Sequence, residues 1–266
     1  MPRERSPWHA SGRASGSATL GRMRMRRGWE AEATNWTRFA RTPGHDHAHE
    51  ELNLPALLGL LPPPAGRALD LGCGEGRLSR VLRASGYAVT GVDASPTMVG
   101  LAASHRDRQP VVLADAAALP FRDGTFDLVV AYMSLHDIDA MPTAIAEAAR
   151  VLRRAGRLCA AIPHPVNSAG DFGSRAADAP FVISGSYLDS VPVTWTLARD
   201  DVQVTFHSQH RPLEAYSRAL EAAGLLIEAI REVSPAGPAT ADAAAADASR
   251  WRRIPLFLQF RAVKPD

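Results

Sequence analysis

The stretch "RALDLGCGEGRLSRVL", Arg67 to Leu82, decides how the rest of the chain reads. An apolar run ends at Asp70-Leu71, glycines follow at 72, 74 and 76, and from Arg77 the apolar residues recur at helical spacing. This is a strand, a Gly-rich turn and a helix. Glycine supplies positive φ and has no Cβ, so the backbone can turn tightly and approach a ligand. In open parallel sheets, ligands bind at the carboxyl ends of strands where the strand order reverses.

The same alternation continues outward from that stretch. Residues 87–93, 110–115, 126–132 and 156–163 read as strands, and 95–105 and 141–156 as helices. Ser95 before Pro96 is a helix-start signal. The strands are short, Val/Ala/Leu-rich and not alternating, which is the pattern of strands buried on both faces. The expected fold is therefore α/β: a Rossmann-like, seven-stranded, mostly parallel sheet with helices on both faces. Residues 29–61 read as a helical lid interrupted at Pro43-Gly44, and residues 163–211 as an insertion after strand five. Period-two alternation on either side of Arg199-Asp200-Asp201 predicts a β-hairpin there. A helix at 212–224 and two strands close the chain, with a low-complexity loop at 234–253 between those strands.

Composition excludes several classes. The net charge of +2 over 266 residues gives no case for a nucleic-acid partner. No apolar run approaches the roughly 20 residues of a membrane span, and Cys73 and Cys159 lie in core elements, so a reducing, cytoplasmic setting is expected. Arginine crowds the first 27 residues. That suits a transit peptide, or a tail preceding a start at Met23 or Met25. The expected division is a disordered tail at 1–24, a lid at 25–65 and a ligand-binding domain at 66–266.

Two acids narrow the ligand. Asp93 ends the second strand about twenty residues past Gly72, where a carboxylate accepts ribose hydroxyls. Asp115 follows the third strand, within reach of an adenine amine. The glycine spacing is G-x-G-x-G, not the G-x-G-x-x-G of dinucleotide sites. Asp70 and Glu75 put acid beside the loop, which disfavours a pyrophosphate and favours a cationic ligand.

"LDLGCGEGR", "VTGVDAS", "VVLADAAALPF", "FDLVVAYMSLHDI" and "EAARVLRRAGRLCAAI", taken in order, resemble the class I S-adenosylmethionine-dependent methyltransferases, in particular the ubiquinone/menaquinone methyltransferase-like group. The resemblance is strong over residues 66–162. It implies S-adenosyl-L-methionine as cofactor and a small-molecule methyl acceptor, with room for a homodimer. Asp70, Gly72, Cys73, Gly74 and Gly76 are implied around the methionine part, with Asp93 on the ribose and Ala94 near the adenine. Asp115 and Ala116 are implied at the adenine edge, and Tyr132 and Met133 along the methionine side. "WEAEATNWTRFARTPGHD" resembles the lid of many small members, and from it Trp36 and Arg41 are expected at the cofactor, Arg41 at its carboxylate.

For the transfer itself, His136, with Asp137 beside it, and His164 are the candidate catalytic bases, because each follows a strand at the ligand edge. His45, His47 and His49 are expected in a solvated turn, without a metal. Phe172, Phe181, Tyr187, Trp195 and Phe206 suit either an apolar pocket or the insertion's own core. An NAD-dependent oxidoreductase and a non-catalytic S-adenosylmethionine-binding regulator are the alternatives. The acceptor, and whether it reacts through O, N or C, is left open.

Overall fold

A computed structural model describes residues 24–235 and 249–266. The expected tail, except Arg24, and most of the low-complexity loop lie outside the described residues. Five strands run parallel: β1 (Arg67–Leu71), β2 (Ala88–Asp93), β3 (Val111–Leu113), β4 (Phe126–Tyr132) and β5 (Leu152–Pro163). In the insertion, β6 (Gly170–Phe172) pairs with β7 (Phe181–Ile183), and β8 (Val191–Arg199) with β9 (Val202–His210). β10 (Leu226–Val233) and β11 (Phe257–Val263) finish the main sheet antiparallel, in the order β10-β11-β5-β4-β1-β2-β3. The order reverses between β1 and β4, so the glycine turn after β1 opens at the switch point.

Local signals explain most boundaries. Ser95 caps α4 (Pro96–Ala103), its Oγ accepting from the Met98 amide at 3.0 Å. α5 (Met141–Val151) ends five residues before the expected Gly156. Leu152 is already extended and begins β5, and Ala155 takes φ +57° as its amide bonds the Lys264 carbonyl. Tertiary pairing with the chain's end overrides helix propensity there. α3 (Arg77–Ala84) and α2 (Leu54–Leu60) cover one face, burying Leu57, Leu78 and Leu82 on Ala68, Leu128 and Val130. α5 and α7 (Leu213–Ala222) cover the other, on Leu69, Val129, Leu158 and Phe260.

The segment expected as a lid comprises α1 (Arg24–Arg41), a π-helical turn (Ala48–Asn53) and α2. The β8–β9 hairpin turns at Asp200, as expected, and lies along α1. The Phe206 ring stands 5.8 Å from Trp29 and 5.7 Å from Trp36, and Trp195 stacks on it at 3.9 Å. Phe39 packs with Val202 and Val204. Lid and insertion thus form one cover. Phe172 and Phe181 pack with Trp251, and Tyr187 lies against His210, so the insertion's aromatics pack it against α1 and the segment before β11.

Candidate functional site at the switch point

The three glycines do different jobs. Gly72 has φ +73°, and a Cβ there would meet the Ser134 Cβ at 2.6 Å. Its bareness admits the loop after β4, where Ser134 Oγ donates to the Leu71 carbonyl at 2.6 Å. Gly74 has φ +55°, and a Cβ would meet nothing closer than Trp36 Nε1 at 3.8 Å. Gly74 is therefore the open member, roofed by the lid tryptophan. Gly76 lies against Arg80 and Ala102 at the start of α3, a packing position.

Asp93 ties the loop to β2. Its Oδ2 accepts from the Gly74 amide at 2.8 Å and its Oδ1 from the Ser95 amide at 2.9 Å. Burial raises its pKa and those amides oppose the rise. Ala94 is half-buried beside it and Ala116 buried at the end of β3. Asp115 is exposed; its Oδ1 caps the Ala117 amide at 2.9 Å.

The acid expected to attract a cation is internally neutralised. Glu75 is 1% exposed. It accepts from Arg80 at 2.8 Å and from Arg41 at 2.7 Å. Asp70, 1% exposed, accepts from Ser79 at 2.6 Å, and burial pushes it up to about 7. Cys73 is buried, with its thiol pushed up by burial. Arg41 donates through Nε to Glu75 at 2.7 Å and through Nη2 to the Leu101 carbonyl at 3.1 Å. A second pair links lid and loop: Arg77 donates twice to Asp46 Oδ2, at 3.0 Å each, while its guanidinium lies 5.2 Å from the Trp36 ring.

The two candidate bases differ. His136 lies in the short 3-10 turn after β4, buried, with Nδ1 lacking any hydrogen bond. Burial, then the nearby Arg211 charge, lowers it to about 3, so the ring is neutral. Asp137 approaches its Nε2 at 3.3 Å without a hydrogen bond, and burial holds that carboxyl well above the carboxylate range. The two are neutral neighbours and not an ion pair. His164 has no free nitrogen: Nδ1 caps α6 (Pro165–Ala169) at the Val166 amide, 3.1 Å away, and Nε2 meets Glu232 at 3.1 Å. A capping ring bound on both sides has no position left for an acceptor's proton.

One residue the sequence did not single out, and three it read differently or only in part, complete the site. Arg211, 5% exposed, donates to the carbonyls of Leu135, His136, Ile138 and Asp139, pinning the β4 loop to the end of β9. His45 and His49 are buried, against the expected solvated turn. His45 meets Asp200 of the hairpin at 3.0 Å, and His49 Nδ1 meets the Tyr132 hydroxyl at 2.7 Å. The one available signal was that 45 and 49 share a helical face. Met133, next to Tyr132, holds φ +52°, a backbone state uncommon for a side-chain-bearing residue.

Residues 69–160 match the family described as methyltransferase domain. The malonyl-[acyl-carrier protein] O-methyltransferase of Enterobacter lignolyticus is 36% identical over 124 residues, 45% of this chain and 49% of that protein. The 27-O-demethylrifamycin SV methyltransferase of Amycolatopsis mediterranei is 43% identical over 110 residues, 38% of this chain and 40% of that protein. The chain thus spans half or less of the length of these curated relatives. A crystal structure of an S-adenosylmethionine-dependent methyltransferase from Mesorhizobium loti superposes with a TM-score of 0.62 at 26% identity, covering 79% of this chain and 96% of that one.

Proposed function

We propose that this chain is a class I S-adenosylmethionine-dependent methyltransferase that transfers a methyl group to a small-molecule acceptor through O, N or C, a reading supported by the family match and the structural likeness. The observation that carries the reading is that the Gly74 turn, Asp93 and Asp115 lie at the carboxyl ends of three neighbouring parallel strands, β1, β2 and β3, with the glycine turn at the switch point. The residues fit the cofactor. Asp93 accepts one amide on each oxygen, and a carboxylate has about four acceptor sites, so it retains capacity for ribose hydroxyls. Asp115 spends one oxygen on its own turn, leaving the other for an adenine amine. When bound, S-adenosylmethionine supplies a methyl group made electrophilic by its sulfonium.

The chain's own part is alignment, exclusion of water and, where the acceptor carries a proton, its removal. Trp36 and the Asp46–Arg77 pair close the lid over the loop. Tyr132 and Met133 line the methionine side after β4. His136 is the candidate base for the acceptor's proton because its Nδ1 is unshared; burial, which lowers its pKa to about 3, makes it a weak one. The reading includes a cytoplasmic protein with a lid at 25–65 and a catalytic domain at 66–266, acting on a quinone-like, polyketide-like or related secondary metabolite. Among the described residues no helix is long and apolar enough to cross a membrane.

Calorimetry with S-adenosylhomocysteine and with NAD tests the cofactor. A metabolite panel with methyl-labelled cofactor, read by mass spectrometry, then identifies the acceptor. Saturable NAD binding without S-adenosylhomocysteine binding overturns the proposal.

A further inference from the structure

A chain of buried hydrogen bonds runs from the sheet to the lid and ends on one imidazole. Gln259, on β11 and fully buried, donates through Nε2 to the Asn53 carbonyl at 2.7 Å and to Asn53 Oδ1 at 2.8 Å. Asn53, with Oδ1 turned to Gln259, lies beside the Tyr132 hydroxyl, and its side chain opposes the upward push of burial on that phenol. The Tyr132 proton then has one acceptor at hand, His49 Nδ1 at 2.7 Å. Burial lowers His49 to about 4, so the ring is neutral and carries a single proton. With Nδ1 accepting, that proton sits on Nε2.

His49 Nε2 has no hydrogen-bond partner among the described residues, although the residue is 7% exposed. That nitrogen is not sealed from solvent, so its N–H is open to a ligand. His49 sits on the π-helical turn of the lid, a feature enriched at functional sites. It meets β4 where that strand ends, beside β1 and its glycine turn, and the Arg77 guanidinium is close enough to act on its charge. Arg77 spends both terminal nitrogens on Asp46 Oδ2 at 3.0 Å and the His49 amide donates to Asp46 Oδ1 at 3.2 Å, so the N–H of this group left to meet an anionic oxygen is that of His49 Nε2. The arginine expected for that task, Arg41, is held by Glu75.

We propose that His49 Nε2–H donates a hydrogen bond to the carboxylate of the cofactor's amino-acid end, and that Tyr132 and Asn53 are positioning residues that set its tautomer. The proposal rests on the methyltransferase reading above. It makes lid closure specific: the lid senses the amino-acid end and not the nucleoside.

The test compares S-adenosylhomocysteine with 5′-methylthioadenosine, which lacks the amino-acid end, by calorimetry on the full chain and on His49→Phe. Loss of about ten- to a hundredfold in affinity for S-adenosylhomocysteine is expected, the range for a hydrogen bond to a charged group. Affinity for methylthioadenosine should stay within about twofold, which also certifies a folded nucleoside site. Tyr132→Phe removes the proton that fixes the tautomer and keeps the ring packing; its loss should be smaller and equally selective. Equal losses on both ligands overturn the assignment in favour of packing. Unchanged affinity for both, with kcat reduced, overturns it in favour of an oxygen on the acceptor. A wild-type chain that binds neither ligand overturns the methyltransferase reading itself; one that binds both equally with His49→Phe overturns only this assignment.

Discussion

Substituting Gly72 by alanine separates the glycine that the fold uses from the glycine that a ligand uses. Alanine at φ +73° costs about 1–2 kcal/mol from the left-handed backbone alone. The new Cβ would also lie 2.6 Å from the Ser134 Cβ. Ser134 cannot move aside cheaply, being 6% exposed and bonded to the Leu71 carbonyl at 2.6 Å. Overpacking of that kind costs about 1–3 kcal/mol. Together Gly72→Ala should lose about 2–5 kcal/mol, lowering Tm by at least about 4 °C for a domain of this size. The assay is urea unfolding of the wild type, Gly72→Ala, Ser134→Gly and the double variant. Removing the Ser134 Cβ should relieve the overlap and leave the backbone cost, so the double variant should be more stable than the sum of the singles by about 1–3 kcal/mol. Additive losses would refute the steric account. Gly74→Ala, whose Cβ meets nothing within 3.8 Å, should show the backbone cost alone and a larger effect on cofactor affinity than on stability.

Asp93→Ala should weaken cofactor binding by at least about 2 kcal/mol, the scale of hydrogen bonds to a carboxylate. It should also lower Tm, because the Gly74 and Ser95 amides lose their acceptor; a variant binding as wild type counts against the ribose role. Asp70 has a folded pKa raised to about 7 from an unfolded 3.8. Its contribution is therefore fully present below pH 4 and lost as pH rises through about 7, at about 1.4 kcal/mol per unit. Asp70→Asn should flatten the stability–pH curve between pH 4 and 7, measured by urea unfolding, and an unchanged slope there rejects the burial account. His136→Ala should bind S-adenosylhomocysteine normally and lose at least about a hundredfold in kcat on an acceptor that must be deprotonated. Because burial lowers His136 to about 3, kcat should show no acid limb from it between pH 5 and 8; a limb near 6.5 that vanishes in the variant contradicts its neutral, buried state. Asp46→Ala, which frees Arg77 from the lid, should speed S-adenosylhomocysteine dissociation about tenfold in stopped flow, equivalent to about 1.4 kcal/mol; an unchanged rate means the pair does not latch the lid.

Local and periodic information sufficed for the sheet, because strands buried on both faces must be apolar throughout and turns need glycine. Hence "RALDL", "VTGVD" and "FDLVVAY" could be read directly, and so could the Ser95 cap and the Asp200 turn, each set within a few residues. The strand ends also put Asp93 and Asp115 at the carboxyl edge of the sheet before any contact was known. What the chain's linear order does not carry is which charged group meets which. Arg41 and Glu75 are thirty-four positions apart, His49 and Tyr132 eighty-three, Asn53 and Gln259 two hundred and six. A side chain's partner, burial and protonation state depend on packing between distant elements, and no spacing rule encodes that. The two histidines expected as bases each stand just past a strand, and as sequence His164 is only slightly the weaker candidate. Only the tertiary structure separates them, by leaving one nitrogen of His136 unshared and spending both of His164 on a helix cap and a carboxylate.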